Sequence, residues 1–244
     1  MRENYTLTRL YVDDALSEGE TIELPKEQAH YLGKVLRKSE GDVVRIFNGM
    51  DGEWKAEITS ASKRAISLLI EERLRAPNPC PDIMLCFAPI RKHRMAFIAE
   101  KATELGVRSL QPTITARTQF PKLNLEKMRA QSIEAAEQTE RLDIPVISES
   151  QKLEVLLKGW DTKRPLIFAD EAGDAKPAID ALRSMKGPAA ILIGPEGGFT
   201  PQERELLRGQ KYVAPVSLGP RILRADTAAL SLLTLWQAVR GDWQ

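Results

Sequence analysis

Four apolar residues, Ala190 to Ile193, open directly onto Gly194-Pro195-Glu196-Gly197-Gly198-Phe199, and no other junction restricts the fold of this chain as tightly. The run is too short and too rich in branched side chains for a helix, so it reads as a buried strand stopped by glycine. Thr200-Pro201-Gln202-Glu203 follows. Thr200 suits an N-cap, Pro201 the first helical position and Glu203 the reciprocal acceptor of a capping box, a set that stabilises a helix start by about 1 kcal/mol. Strand, glycine loop and helix in succession form one unit of a parallel α/β sheet. With no Cβ atoms in the way, such a loop brings backbone N–H and C=O groups against a ligand, and adenine edges or ribose hydroxyls suit that surface. Phosphate-binding patterns do not fit: the lysine of a P-loop is missing after Gly198, and G-x-G-x-x-G occurs nowhere in the chain.

A second loop, Leu218-Gly219-Pro220-Arg221-Ile222-Leu223-Arg224, sets two arginines around an apolar pair and runs at once into Ala225-Asp226-Thr227 and an apolar helix. Between Asp226 and Arg240, the residues Ala228, Leu230, Leu232, Leu233, Leu235, Trp236 and Val239 leave little polar face. A surface helix shows only a stripe, so this one is either internal or part of a subunit interface.

Three prolines among Pro77-Asn78-Pro79-Cys80-Pro81 mark a stiff linker over 73–81, dividing a first domain, 1–72, from a second, 82–244. Before the linker, alternating runs at Leu7–Val12, Val43–Phe47, Trp54–Ile58 and Ala65–Ile70 read as strands. Asn48 to Gly52 reads as a hairpin turn and Lys26–Leu36 as a helix, together a small β-barrel. After the linker, strands are expected at Ile83–Phe87, around Leu110 and Val146, and at Leu166–Ala169, Ala190–Ile193 and Val213–Val216. A helix over Lys92–Leu105 sets Met95, Ile98, Ala99, Ala102 and Leu105 on one stripe before a Gly106 stop. Pattern alone describes an ordinary doubly wound sheet.

The two loops, IGPEGGFT and LGPRILRADTAAL, closely resemble the C-terminal signature of the SPOUT, or α/β-knot, methyltransferases, and within them the RsmE family. Lys101-Ala102-Thr103-Glu104-Leu105-Gly106, Glu134-Ala135-Ala136-Glu137-Gln138 and the segment from His30 to Asp42 match the same family in the same order. The resemblance departs at Thr139-Glu140-Arg141 and at Ala225-Asp226-Thr227, where the carboxylate is one methylene shorter than usual. It implies an α/β trefoil-knot methyltransferase domain behind a PUA-like RNA-binding barrel, working as a homodimer. It implies S-adenosylmethionine as cofactor and N3 of a uridine in 16S small-subunit ribosomal RNA as target, within the small subunit. A SPOUT ribose 2′-O-methyltransferase and a non-catalytic ribosome assembly factor are the rival functions.

The residues expected to act follow from that match. Ile193, Gly194, Pro195, Glu196, Gly197 and Gly198, with Leu218, Gly219 and Leu223, would hold the cofactor. Uracil N3 carries a proton and is a poor nucleophile until it leaves, so cations or a base are needed. Arg221 and Arg224 supply the cations, with Asp226 or Glu137 assisting proton removal. Asp226 reads equally as a charge favouring the N-terminus of the last helix, and Glu134 and Glu137 as a helix face. Arg9, Lys34 and Arg37 in the first domain, and Arg91, Lys92, Arg94 and Lys101 in the second, are the expected RNA contacts. His93, set among the latter, reads as a base or as one member of the patch.

Composition narrows what surrounds these sites. A formal charge of +1 over 244 residues excludes capture of RNA by the molecule as a whole, so cations must cluster. The only cysteines, Cys80 and Cys86, and the only histidines, His30 and His93, carry no metal-ligand spacing. No apolar run approaches the roughly 20 residues that span a bilayer, and the polar N-terminus lacks a signal-peptide core, so a cytoplasmic, metal-free protein is expected.

Overall fold

Short apolar runs separated by turn residues become strands in both halves of the chain, but the strands pair differently. The computed structural model describes residues 4–62, 65–171 and 174–243. The chain divides into two compact units: Met1–Pro79 with Ala136–Asp143, and Cys80–Ala135 with Ile144–Gln244.

In the first unit, β1 (Arg9–Tyr11), β2 (Thr21–Glu23), β3 (Val43–Asn48), β4 (Gly52–Ala61) and β5 (Ile66–Arg75) form a sheet in the order β1-β3-β4-β5-β2. Only β1 and β3 run parallel. Among the described residues the pairing ends at β1 and β2 rather than closing on itself, and β5 runs to Arg75, into the segment expected to be linker. The expected helix is α1 (Lys26–His30), which loosens into one π-helical stretch over Tyr31–Val35 and leaves Arg37 at φ +56°. Alternate residues of β3, β4 and β5, such as Val44, Ile46, Ala56, Ile58, Ile66, Leu68 and Ile70, fill a core with no exposure. The hairpin turn is held by Asn48, whose Oδ1 accepts the N–H groups of Met50 and Asp51 at 3.0 and 2.6 Å. Gly52, at φ +87°, completes it where a Cβ would run into the Arg75 carbonyl.

The second unit alternates strand and helix: β6 (Ile83–Phe87), α2 (Lys92–Glu104), β7 (Ser109–Ile114), α3 (Leu125–Gln138), β8 (Val146–Ile147), β9 (Gln151–Lys152), α4 (Leu153–Lys158), β10 (Leu166–Ala169), β11 (Lys176–Pro177), α5 (Ala178–Ser184), β12 (Ala189–Ile193), α6 (Pro201–Arg208), β13 (Val213–Ser217) and α7 (Ala225–Arg240). The sheet runs β11-β13-β10-β12-β6-β7-β8 with β9 beside β7, and every pair is parallel. All five residues of β12 are buried, as a strand covered on both faces requires. Because β12, β10 and β13 are adjacent and parallel, their carboxyl ends open on the same edge, where ligands of open α/β sheets bind.

α7 packs against α2, α5 and β12. Leu232 and Trp236, expected at a subunit interface, are 0 and 2 % exposed inside this unit and belong to its core. The side of α7 that stays open carries Leu230, Ser231, Thr234 and Leu235, which with Ile179 and Leu218 border a shallow groove. No described helix is long and apolar enough to cross a membrane.

Candidate active site

Three loops build the site at the carboxyl edge of β12, β10 and β13. The loop after β12 turns on a hydrogen bond from the Gly198 N–H to the Pro195 carbonyl, 2.9 Å, with Gly198 at φ +65°. A Cβ on Gly198 would collide with the Glu171 carboxylate, so glycine here meets both the backbone angle and the space. Gly194 is equally constrained, since a Cβ would stand 2.6 Å from the Phe199 ring. Phe199 in turn packs edge-to-face on Phe168 of β10, centroids 5.0 Å apart. The capping box of α6 forms as the sequence requires, with the Glu203 N–H donating to Thr200 Oγ1 at 3.2 Å and the Thr200 N–H to Glu203 Oε2 at 2.9 Å. The free oxygen of Glu203 accepts the Ala116 N–H at 2.7 Å.

Two adjoining cavities, of about 170 and 150 Å³, lie between these loops and share Ala169, Asp170, Glu171, Ile222, Leu223 and Ala228. Ile193, Gly194, Pro195, Glu196, Gly198 and Arg224 line the first, and Leu218, Gly219 and Arg221 the second. The two loops expected to hold the cofactor and both arginines are therefore brought together. Gly197 lines neither cavity and lies against Arg117, whose Nη1 donates to the Gly197 carbonyl at 2.7 Å. Arg221 and Arg224 are exposed, and neither guanidinium forms an ion pair among the described residues. Arg224 is also the N-cap residue of α7.

Asp226 sits in the first turn of α7, nearly buried, and both its oxygens are engaged. One binds Arg94 Nη1 of α2, and the other accepts the Thr227 N–H at 2.9 Å. Arg94, expected on the RNA surface, is thereby committed to an internal ion pair. Lys101 is likewise paired, with Glu100 and Glu104 at 2.7 Å each, and these carboxylates hold its ammonium above the usual lysine range. Lys34, Arg37, Arg91, Lys92 and His93 remain exposed.

Arg9 and Glu137 take interior roles in the first unit. Arg9 is 6 % exposed and lies 4.1 Å over the Phe47 ring. Its Nε donates to Glu53 at 2.6 Å, and its other nitrogens to the carbonyls of Ala136, Glu137 and Arg141 at 2.7, 2.9 and 3.0 Å. An arginine on the last carbonyls of a helix satisfies acceptors that have no intrahelical partner. This burial removes Arg9 from the surface where an RNA contact was expected. Glu137 accepts the Tyr11 N–H at 3.0 Å. Glu140, part of the departure from the family pattern, bridges Arg45 and Arg75 at 2.9 Å each.

Three residues of the site escaped sequence reading: Asp170, Glu171 and Arg117. Asp170 is 4 % exposed and held by Arg204 and by Arg208 Nε at 2.8 Å. Arg208 also binds Asp174, holding that carboxyl down at about 2. The signal for the first two is their place just beyond the strand Leu166–Ala169, at the edge where ligands bind. Arg117 had none, since an exposed loop arginine looks like any other. No described group of His, Cys, Asp and Glu has a metal-binding arrangement.

A parallel sheet with a glycine-lined cleft at its carboxyl edge is shared by many proteins, and comparison with known sequences narrows the class. Residues 76–237 match the RNA methyltransferase domain family and residues 24–71 the RNA methyltransferase PUA domain. The ribosomal RNA small subunit methyltransferase E of Rickettsia conorii is 35 % identical over 228 residues, 92 % of this chain and 93 % of that protein. A solved putative methyltransferase from Legionella pneumophila, in complex with the cofactor SAM, superposes with a TM-score of 0.87 at 32 % identity over 97 % of this chain and 99 % of that one. The ribosomal RNA small subunit methyltransferase E of Neisseria gonorrhoeae, bound to S-adenosylmethionine, gives 0.83 at 28 % over 98 and 100 %. The chain is an RNA methyltransferase domain joined to a PUA domain. It belongs to the ribosomal RNA small subunit methyltransferase E family.

Proposed function

We propose that this protein methylates N3 of a uridine in 16S ribosomal RNA, using S-adenosylmethionine. The observation that carries the reading is the meeting of three loops around one cleft, with two arginines on its wall that form no ion pair among the described residues. The residues present fit the cofactor. Ile193, Leu223 and Ala228 offer an apolar wall for adenine, backbone groups of Gly194 and Leu218 can meet its edge, and Glu171 suits ribose hydroxyls. S-adenosylmethionine supplies a methyl group on a sulfonium, which becomes neutral as the methyl leaves in line.

The chain's own part is alignment and charge. Arg221 and Arg224 receive the uracil carbonyl oxygens on their planar forks and stabilise the anion formed as the N3 proton departs to water. Alignment of acceptor with donor supplies much of the remaining acceleration. Asp226, held by Arg94 and a backbone N–H, fixes the start of α7 beside Arg224. Lys34 and Arg37 are the RNA contacts of the PUA unit, and Arg91 and Lys92 those of the methyltransferase unit.

A trefoil knot in the loops after β12 and β13 is supported by the central place of β10 between those strands and by the return of α7 to β12 and α2. A homodimer formed through Leu230, Leu235, Ile179 and Leu218 would cover the open groove on α7. An enzyme of assembling small subunits works in the cytoplasm.

The test is methyl transfer from labelled S-adenosylmethionine to purified small subunits lacking the modification, followed by nucleoside analysis of the RNA. N3-methyluridine at a single position is expected. Label in a ribose 2′-O-methyl group would replace the N3 reading, and no label in 16S RNA would overturn it.

A further inference from the structure

A groove of about 370 Å³ in the methyltransferase unit shares no lining residue with the cofactor cavities. It lies between the start of α2 and the segment leading into α3. Met95 and Met128, 4 and 3 % exposed, form an apolar floor. Phe120 stands on its wall, 39 % exposed, whereas Phe47, Phe87 and Phe168 are fully buried. Lys92, Lys122 and Lys127 line it and no carboxylate does. All three lysines are exposed, and none forms an ion pair among the described residues.

An apolar slot with an open aromatic face and unopposed cations needs an occupant that is planar and apolar in one part and anionic in the next. A single-stranded polynucleotide repeats that pairing at every unit, with a π-face on each base and a phosphate on each side. Asn124 and Gln131 add amide groups that can meet a base edge. Asn124 already caps α3, its Oδ1 accepting the Lys127 N–H at 2.8 Å, which leaves its NH₂ to donate.

We infer that this groove holds one unpaired nucleotide of the substrate RNA, its base stacked on Phe120 above Met95 and Met128 and its flanking phosphates on Lys92, Lys122 and Lys127. The inference rests on the reading of RNA as substrate and adds a second contact, separate from the methyl-transfer cleft. Such a contact would let the enzyme hold a strand by a neighbouring base while the target occupies the cleft.

The experiment measures binding of the full chain to a labelled single-stranded fragment of 16S RNA and to the same strand made abasic. Phe120→Ala should weaken the intact strand about tenfold and leave the abasic strand unchanged, with Phe120→Trp restoring binding. Lys122→Ala with Lys127→Ala should weaken both strands and reduce the salt slope by about 1.4. Calorimetry with S-adenosylmethionine checks that each variant is folded, and Phe120→Leu serves if the alanine variant is not. Phe120→Ala or Phe120→Leu binding the intact strand like the unmodified protein would overturn the stacking site. Unchanged RNA binding in all variants would overturn the inference. Methyl transfer to small subunits is measured on the same unmodified preparation. Transfer without any groove effect removes the groove and keeps the enzyme assignment, whereas no RNA binding and no transfer removes both.

Discussion

Among single residues, Gly198 joins a left-handed backbone angle to close contact with the carboxylate end of the Glu171 side chain. Gly198→Ala must strain the loop by about 1–2 kcal/mol and push Glu171 aside, so affinity for S-adenosylmethionine should fall at least tenfold with the fold retained. Calorimetry and circular dichroism check this, and an unchanged Kd would place the cofactor elsewhere. Gly197→Val is a gentler change, because a Cβ at Gly197 makes only ordinary 3.6 Å contacts with Arg117. The glycine and arginine positions were legible because they fall within contiguous motifs. The roles of Arg9, Arg94 and Glu137 were not, because sequence shows that a residue is charged and not what meets it in space. Arg9 lies 127 positions from the carbonyl of Ala136 that it binds. Glu140 looked like a departure from pattern until Arg45 and Arg75 were seen on either side of it.

Among the elements, strands in apolar runs were readable, including the short β1 and β8, but three other short ones were not. β6, β10, β12 and β13 stand where continuous apolar runs predict buried parallel strands. β2, β9 and β11 span two or three residues, too few to show any period, and exist only because a neighbouring strand offers hydrogen bonds. The π-helical stretch after α1 has no sequence signature that separates it from a helix. The last turn of α3 lies within the first unit, beside an ion-pair cluster of Arg9, Arg45 and Arg75 with Glu53 and Glu140. Burial alone would push the Glu53 carboxyl up, but hydrogen bonds from Arg75 and Arg9 outweigh it and hold it below its ordinary value of 4.5. A carboxyl depressed on folding stabilises above its unfolded pKa and loses that contribution as pH falls through the folded value. Glu53→Gln should therefore lower stability by about 3–5 kcal/mol at neutral pH, since it leaves buried arginines uncompensated. The gap between variant and unmodified protein should shrink as pH drops below 4.5. Denaturation at several pH values measures this, and a gap that widens in acid would contradict the assignment.

At the scale of the whole molecule, the division of the chain is not sequential: Ala136–Asp143 belongs with Met1–Pro79 although it lies deep in the second half. Deleting 1–72 would therefore strip that segment of Arg9 and Arg45, and point changes are the cleaner probe. Lys34→Ala with Arg37→Ala should weaken RNA binding and leave cofactor binding intact, as measured by paired titrations. Equal RNA affinity in that variant would remove the PUA unit's exposed cations from recognition. The scarcity of polar face on α7 announced burial, but sequence could not apportion it between the core and a second copy. Trp236→Glu should unfold the chain, whereas Leu235→Glu, at the open groove, should give a folded monomer by sedimentation; a dimer unaffected by the latter would move the interface elsewhere. In the proposed mechanism the cleft of the two glycine loops carries out methyl transfer, with Arg224 stabilising the developing uracil anion. It is tested most directly by single-turnover methylation of small subunits, read beside calorimetric affinity for S-adenosylmethionine in the same variants. Arg224→Ala should lose on the order of a hundredfold in rate with the cofactor Kd nearly unchanged, and Arg224→Lys should remain impaired because one ammonium cannot replace a two-pronged fork. Near-normal rates in both variants would contradict this mechanism.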